Sequence, residues 1–351
     1  MFRFTAAAVL AVSVLLSGVG AAPDVSFSGY LDTDVWTDFT GRFYTNAELD
    51  LGIHLQFTDA VSANLYVTAI SEERIPAGVG NPADRWPAFD YDGFDITYAS
   101  PYGEFSVGDL VYGFGDFNYY LYKRLSMIAP ESFSRGLSYE YSGENFSQYL
   151  LVGVSDEDYS TVDIVGKSST SLGEDGSLGL VYGINGNARS NFSTGFDFFA
   201  GAEYRGSFGA LDLKLDLGLL SLRGEERSSV VTLLVEPEMA FGDFFTALTF
   251  YRLFDFDSVN DLADPLFGID DEMFVYVEPG YAFNETVAFG LPLEYHSFSL
   301  DTTDDDEFWV VPTLYIYPAD MVEWWIWGQV AKPTSGDDAY FGFGMEVIVN
   351  F

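Results

Sequence analysis

From Phe341 to Phe351 the chain alternates with a period of two. Phe341, Phe343, Met345, Val347, Val349 and Phe351 are apolar, and Gly342, Gly344, Glu346, Ile348 and Asn350 stand between them. In an extended chain successive side chains point to opposite faces, so this pattern describes a strand with one greasy face and one mostly polar or small. The pattern recurs. Ala47, Leu49, Leu51, Ile53, Leu55 and Phe57 alternate with Glu48, Asp50, Gly52, His54 and Gln56; Leu211, Leu213, Leu215 and Leu217 alternate with Asp212, Lys214 and Asp216. One such strand suits a soluble sandwich, whereas repetition along the whole chain favours a sheet with a greasy outside and a wet inside.

The last strand, closing on Phe351, resembles the C-terminal assembly signal of bacterial outer-membrane β-barrels of the porin type. The resemblance implies that Phe351, Val349, Val347, Met345 and Phe343 are read by the barrel assembly machinery. It also implies an all-β, transmembrane, antiparallel up-and-down barrel in the lipid of the bacterial outer membrane. Homotrimers are common in that family. No subfamily is indicated.

The N-terminus is consistent with export. Met1-Phe-Arg-Phe-Thr is weakly basic, Ala6 to Leu16 is apolar, and Val19-Gly-Ala21 supplies small residues for cleavage. We therefore read 1–21 as a signal peptide and 22–351 as a single barrel domain. The chain has no cysteine, so a disulfide framework is ruled out. After residue 21 no apolar run approaches the ~18 residues of a membrane helix. With 33 Phe, 23 Tyr and 35 Gly, the composition suits interfacial aromatic girdles and close strand approach.

Eighteen strands follow from the alternation and the turns, with sixteen fitting nearly as well: 24–37, 42–57, 62–71, 91–99, 104–113, 133–142, 146–155, 159–169, 177–185, 196–206, 211–222, 229–241, 244–254, 272–283, 286–299, 307–317, 321–331 and 340–351. Short turns alternate with long polar connections, as expected for periplasmic and outer loops. Val235-Glu-Pro-Glu-Met-Ala-Phe241 and Val277-Glu-Pro-Gly-Tyr-Ala-Phe283 form a faint repeat, with Val311-Pro312 a decayed third copy. Proline cannot donate to a ladder. We expect bulges at Pro237, Pro279 and Pro312, with Pro292 a further exception.

The full chain has 15 Lys plus Arg against 54 Asp plus Glu, and removing Arg3 with the leader leaves a net of −40. Such a field repels phosphate-rich partners, so nucleic acid is excluded. The acidity reads equally as cation selection in a pore or as adaptation to high salt. Alternation sends Glu48, Asp50, Glu236, Glu238, Glu278, Glu294, Glu323 and Glu346 inward, and acidic rings favour cations. The bland reading is that any wet lumen is lined with polar groups.

Trp325, Trp327 and Tyr276 fall on the same inward set and would suit sugar stacking, although Trp and Tyr are also girdle residues. Gly113 to Phe133 is the third long connection, the place of the constriction loop in classical porins. Tyr119, Tyr122, Lys123 and Arg124 are its candidate lining, or simply a solvated loop.

Chemistry is sparse. His54 and His296 are the two imidazoles, and Glu294 shares a face with His296, a geometry compatible with an oriented base. Neither a second acid pair nor a serine in a nucleophile context accompanies them, so we read no enzyme. Asp301-Thr-Thr-Asp-Asp-Asp-Glu307 lacks the spacing of a dedicated calcium loop and would hold Ca²⁺ or Mg²⁺ only loosely. No cofactor and no metal site are expected. The expected function is a water-filled channel for passive diffusion of small hydrophilic solutes, favouring cations or neutral solutes, with a specific saccharide channel or a non-conducting adhesin barrel as alternatives.

Overall fold

A computed structural model describes residues 23–39, 42–76, 88–117, 125–155, 161–173, 175–185, 197–223, 227–255, 273–297, 306–333 and 339–351. Residues 1–21, expected to be a signal peptide, lie outside them. Among the described residues every regular element is a strand.

The first nine strands are β1 (Asp24–Thr37), β2 (Arg42–Thr58), β3 (Val61–Pro76), β4 (Ala88–Ser100), β5 (Gly103–Phe117), β6 (Leu125–Ser142), β7 (Phe146–Ser155), β8 (Thr161–Ser171) and β9 (Gly176–Asn185). The rest are β10 (Asp197–Phe208), β11 (Leu211–Arg223), β12 (Arg227–Phe241), β13 (Phe244–Asp255), β14 (Met273–Ala282), β15 (Val287–Gly290 and Leu293–Ser297), β16 (Glu307–Val310 and Thr313–Ala319), β17 (Val322–Pro333) and β18 (Tyr340–Asn350). Each pairs antiparallel with its chain neighbours, and β1 pairs with β18. The result is a closed up-and-down barrel of 18 strands.

Closure removes both sheet edges, the condition for a β-structure in lipid. At the seam Tyr30 faces Asn350 in register. One residue on, Gly29 and Phe351 exchange backbone hydrogen bonds of 2.9 and 3.0 Å. A Cβ at Gly29 would strike the Asp50 carbonyl and lie 3.2 Å from Phe351 Cζ. The absent side chain is what lets the terminal ring cover the seam.

The alternation sorts inside from outside. Val107, Leu137, Val152 and Leu180 are each 53% exposed on the outer face, while their strand neighbours Ser138, Leu151 and Val181 are buried on the inner one. Among the described residues a few charged side chains break the outer face: Arg252, Lys332, and a pair at β5 and β6. Asp109 of β5 and Arg135 of β6 form an ion pair, joined by the Tyr91 hydroxyl at 3.1 Å and the Phe94 amide at 3.3 Å. A lone Arg on the lipid face costs ~2–4 kcal/mol near the midplane, and pairing with Asp109 offsets part of that.

The prolines differ from expectation. Pro237 and Pro279 lie in unbroken strands, and the pairs on either side keep their register. The interruptions fall at residues 291–292 of β15 and 311–312 of β16, side by side. Neighbours repair the gaps: Leu291 N–H donates to the Pro279 carbonyl at 2.9 Å, Val311 N–H to that of Pro292 at 2.9 Å, and Gly328 N–H to that of Pro312 at 3.1 Å. Both repeat copies, in β12 and β14, occupy strands running toward a short turn.

Gly29→Val is expected to lower the yield of heat-modifiable, folded protein as severely as Phe351→Ala, whereas Leu31→Val leaves it near wild type. Gel mobility of boiled against unboiled membrane fractions reads the difference.

Candidate functional site

The lumen is filled unequally. The third long connection, expected to be a loop over 113–133, is the extended top of a hairpin: β5 continues to Phe117 and β6 begins at Leu125. Register shifts at Tyr112/Phe114 and Phe114/Asp116 bend it, and Gly115, at φ 76°, takes a conformation that side chains disfavour. The bend turns the hairpin into the barrel. Met127, Ile128 and Ala129 are fully buried there.

They pack with Leu151, Val165, Val181, Phe199, Leu220 and Leu234 in one apolar cluster inside the barrel. Gly201 and Gly218, directly opposed on β10 and β11, form the recess that receives Ile128. A Cβ at Gly201 would come within 2.6 Å of Ile128 Cγ2, and one at Gly218 within 3.2 Å of the Met127 carbonyl. Thr232 Oγ1 donates to that carbonyl at 2.8 Å, and the Gly115 amide donates to Glu203 Oε1 at 3.1 Å. The Lys214 ammonium donates to the Asp116 carbonyl.

Beneath this cluster, toward the short turns, runs a layer of ion pairs. Lys167 meets Glu203, Arg205 grips Asp216 with both terminal nitrogens, and Lys214 lies 2.5 Å from Glu236. Thr249 extends the layer by donating to Glu236 at 2.9 Å. The charged layer anchors the hairpin as well as lining the wall.

The other arc, β15–β18 with β1–β4, is acidic and aromatic. Asp34 faces Glu346 across the seam, and Asp32 faces Glu48. The Thr68 hydroxyl lies 2.5 Å from Asp50 and also against Asp92, its one proton shared between the two carboxylates. Lower down, Asn64 donates to Asp95 at 2.9 Å, which turns its carbonyl to His54 Nδ1 at 2.7 Å and leaves His54 Nε2 to accept from Ser28 at 2.5 Å. Both nitrogens of His54 are thus committed to wall contacts. Trp36 stacks on Tyr44 with centroids 4.1 Å apart, and Trp327 lies over Gly344 in the same row, where a Cβ would collide with it.

The sequence-derived residues divide by environment. Glu48, Asp50, Glu278 and Glu323 are half-buried on the inner face; Glu238 is exposed near a turn; Glu236 is tied to Lys214; Glu346 and Glu294 are buried. His296, beside Glu294, is fully buried and sits edge-on to Phe274 at 6.0 Å. Tyr276, Trp325 and Trp327 face inward, and Trp324 outward. On β18, Phe343, Met345, Val347 and Val349 share the outer face. Tyr119, Tyr122, Lys123 and Arg124 lie outside the described residues, as do Asp301, Asp304 and Asp305 of the acidic loop. Sequence reading missed Lys167 and Arg205 as lumen residues and missed the apolar cluster. Period two marked the face of Lys214 but not its partner.

No family model matches the chain, and no curated protein does. Solved structures match its fold. A BenF-like porin from Pseudomonas fluorescens Pf-5 is 10% identical, with 93% of this chain and 98% of that one covered and a TM-score of 0.61. OccK3 (OpdO) of Pseudomonas aeruginosa is 12% identical, covering 93% and 96%, with a TM-score of 0.59. OpdK of the same organism, in a crystal structure with vanillate, is 12% identical, covering 93% and 98%, with a TM-score of 0.58. The fold is that of bacterial outer-membrane porins, and the apolar exterior matches that location.

Excising residues 116–127 and joining the ends with a short Gly-Ser turn is expected to raise single-channel conductance several-fold, because the apolar cluster loses its inner wall. Planar-bilayer recordings in KCl measure it.

Proposed function

We propose that this protein is an outer-membrane porin for passive diffusion of small hydrophilic solutes, favouring cations and neutral solutes. The observation that carries this reading is the asymmetry of the lumen. The inward hairpin and its apolar cluster occupy the β7–β14 side, and on this reading the path runs along the acidic arc. Glu48 and Asp50, half-buried on the inner face, and Asp92, which accepts from Thr68, are the carboxylates taken to bias a permeating solute there toward cations.

An anion path would need basic groups at liberty to bind. OpdK was crystallised with vanillate, a carboxylate. Among the described residues the inward bases Lys167, Arg205 and Lys214 are each engaged by a carboxylate. A charge already paired contributes little net field. Passive diffusion requires no reaction, and the engaged His54 and buried His296 agree with a non-enzymatic role. Export by the 1–21 leader, insertion by the barrel assembly machinery through Phe351, Val349, Val347, Met345 and Phe343, and assembly as a homotrimer belong to the same reading. Loose Ca²⁺ or Mg²⁺ at the acidic outer loop does too. The inward aromatics Trp325, Trp327 and Tyr276 favour a saccharide channel as the second reading.

The test is the reversal potential in a KCl gradient. Wild type is expected to favour K⁺, and the triple variant Glu48→Gln, Asp50→Asn, Glu346→Gln to lose much of that preference. The loss should be larger near 0.01 M salt, where the Debye length is ~30 Å, than at 1 M, where it is ~3 Å. An unchanged ratio would assign the acidity to salt adaptation, and the absence of conductance steps would point to an adhesin.

A further inference from the structure

Glu278 on β14 is a firmly seated carboxylate outside the ion-pair layer. Tyr276 donates its hydroxyl to Oε2 at 2.5 Å, and Tyr315 of β16 donates to Oε1 at 2.6 Å. Between these strands β15 presents Gly290, where a Cβ would collide with Glu278 Oε1 and lie 2.8 Å from the Tyr315 ring. The glycine keeps the seat clear.

Trp325, paired in register with Tyr315, meets it edge to face with centroids 5.5 Å apart. Its indole N–H donates to Glu323 at 3.1 Å. All five side chains are half-buried, packed on the wall yet open to the lumen. The result is two fixed carboxylates framed by three aromatic rings.

We propose that this cluster binds organic ammonium ions, an inference that rests on the cation-favouring channel reading above and names its substrate class. Glu278 and Glu323 supply charge, and Tyr276, Tyr315 and Trp325 supply ring faces whose quadrupoles attract cations. Among the described residues the inward bases Lys167, Arg205 and Lys214 are held by Glu203, Asp216 and Glu236 on other strands and none is paired with Glu278. A saccharide fits less well. Its hydroxyls would compete with two tyrosines for the same carboxylate oxygens, whereas an ammonium needs only the field and a ring face.

The experiment adds choline to the full-length protein in planar bilayers carrying a KCl current, with sucrose as the neutral control. Choline is expected to reduce the current saturably at about millimolar concentration, and sucrose is not. Glu278→Gln and Trp325→Leu should each weaken the block about tenfold. Tyr315→Phe, which keeps the ring and loses one hydroxyl bond, should weaken it only slightly. Heat-modifiable mobility certifies folding, and Glu323→Gln replaces either variant that fails to fold, with a several-fold weakening expected. Block unchanged in the folded variants overturns the site, as does sucrose block abolished by Trp325→Leu. The reversal potential from the same bilayers separates the two claims: an anion-selective wild type defeats the channel reading, while a K⁺-selective wild type insensitive to choline defeats only the site.

Discussion

Backbone hydrogen bonding is the constraint on which the rest of this structure depends. In hydrocarbon an unpaired N–H or C=O has no water to turn to, so a sheet must close on itself. The pairing of β1 with β18, finished by the exchange between Gly29 and Phe351, meets that demand where the two ends of the sheet join. The prolines show how little slack remains. The breaks in β15 and β16 lie next to each other, so a donor freed at one finds a carbonyl left over at the next.

Once the barrel is closed, the interior becomes the open variable. A barrel of this size encloses more space than wall side chains can fill, and part of that space is taken by the chain itself. The β5–β6 hairpin turns inward because Gly115 permits the bend and because Gly201 and Gly218 leave a recess for Ile128. Burial of Met127, Ile128 and Ala129 favours the bent position, and hydrogen bonds from Thr232 and Lys214 hold the hairpin backbone in place. The lumen thereby acquires one side packed by the hairpin and an opposite side lined by acidic and aromatic residues.

Charge follows the same division. Where cations and anions alternate on neighbouring strands, as from Lys167 to Glu236, they neutralise one another and brace the hairpin. On the β18–β1–β2 wall like charges face each other, Asp34 with Glu346 and Asp32 with Glu48. Like charges directly opposed across a sheet are unfavourable by themselves, so contacts beyond the facing pair must hold them there.

Much of the architecture was legible in the chain. Period two sorts Leu211 to Leu217 and Phe341 to Phe351 into outside and inside, and turn residues mark the short connections, because both signals are local. Strand ends therefore agree closely with expectation except at the far ends of β3, β5 and β6: β3 runs to Pro76 rather than 71, β5 to Phe117 rather than 113, and β6 starts at Leu125 rather than 133. Those misses have the same origin as the misjudged bulges at Pro237 and Pro279. Whether a polar, aromatic stretch continues as strand, and whether a proline breaks one, depends on what the adjoining strands offer. Alternation also placed Glu236, Glu278 and Glu294 on the inner face without distinguishing them. Only the tertiary structure gave Glu236 a lysine, set Glu278 between two tyrosine hydroxyls and buried Glu294 beside His296. Local pattern determines which face a side chain takes, and contacts between residues distant in sequence decide what it meets there.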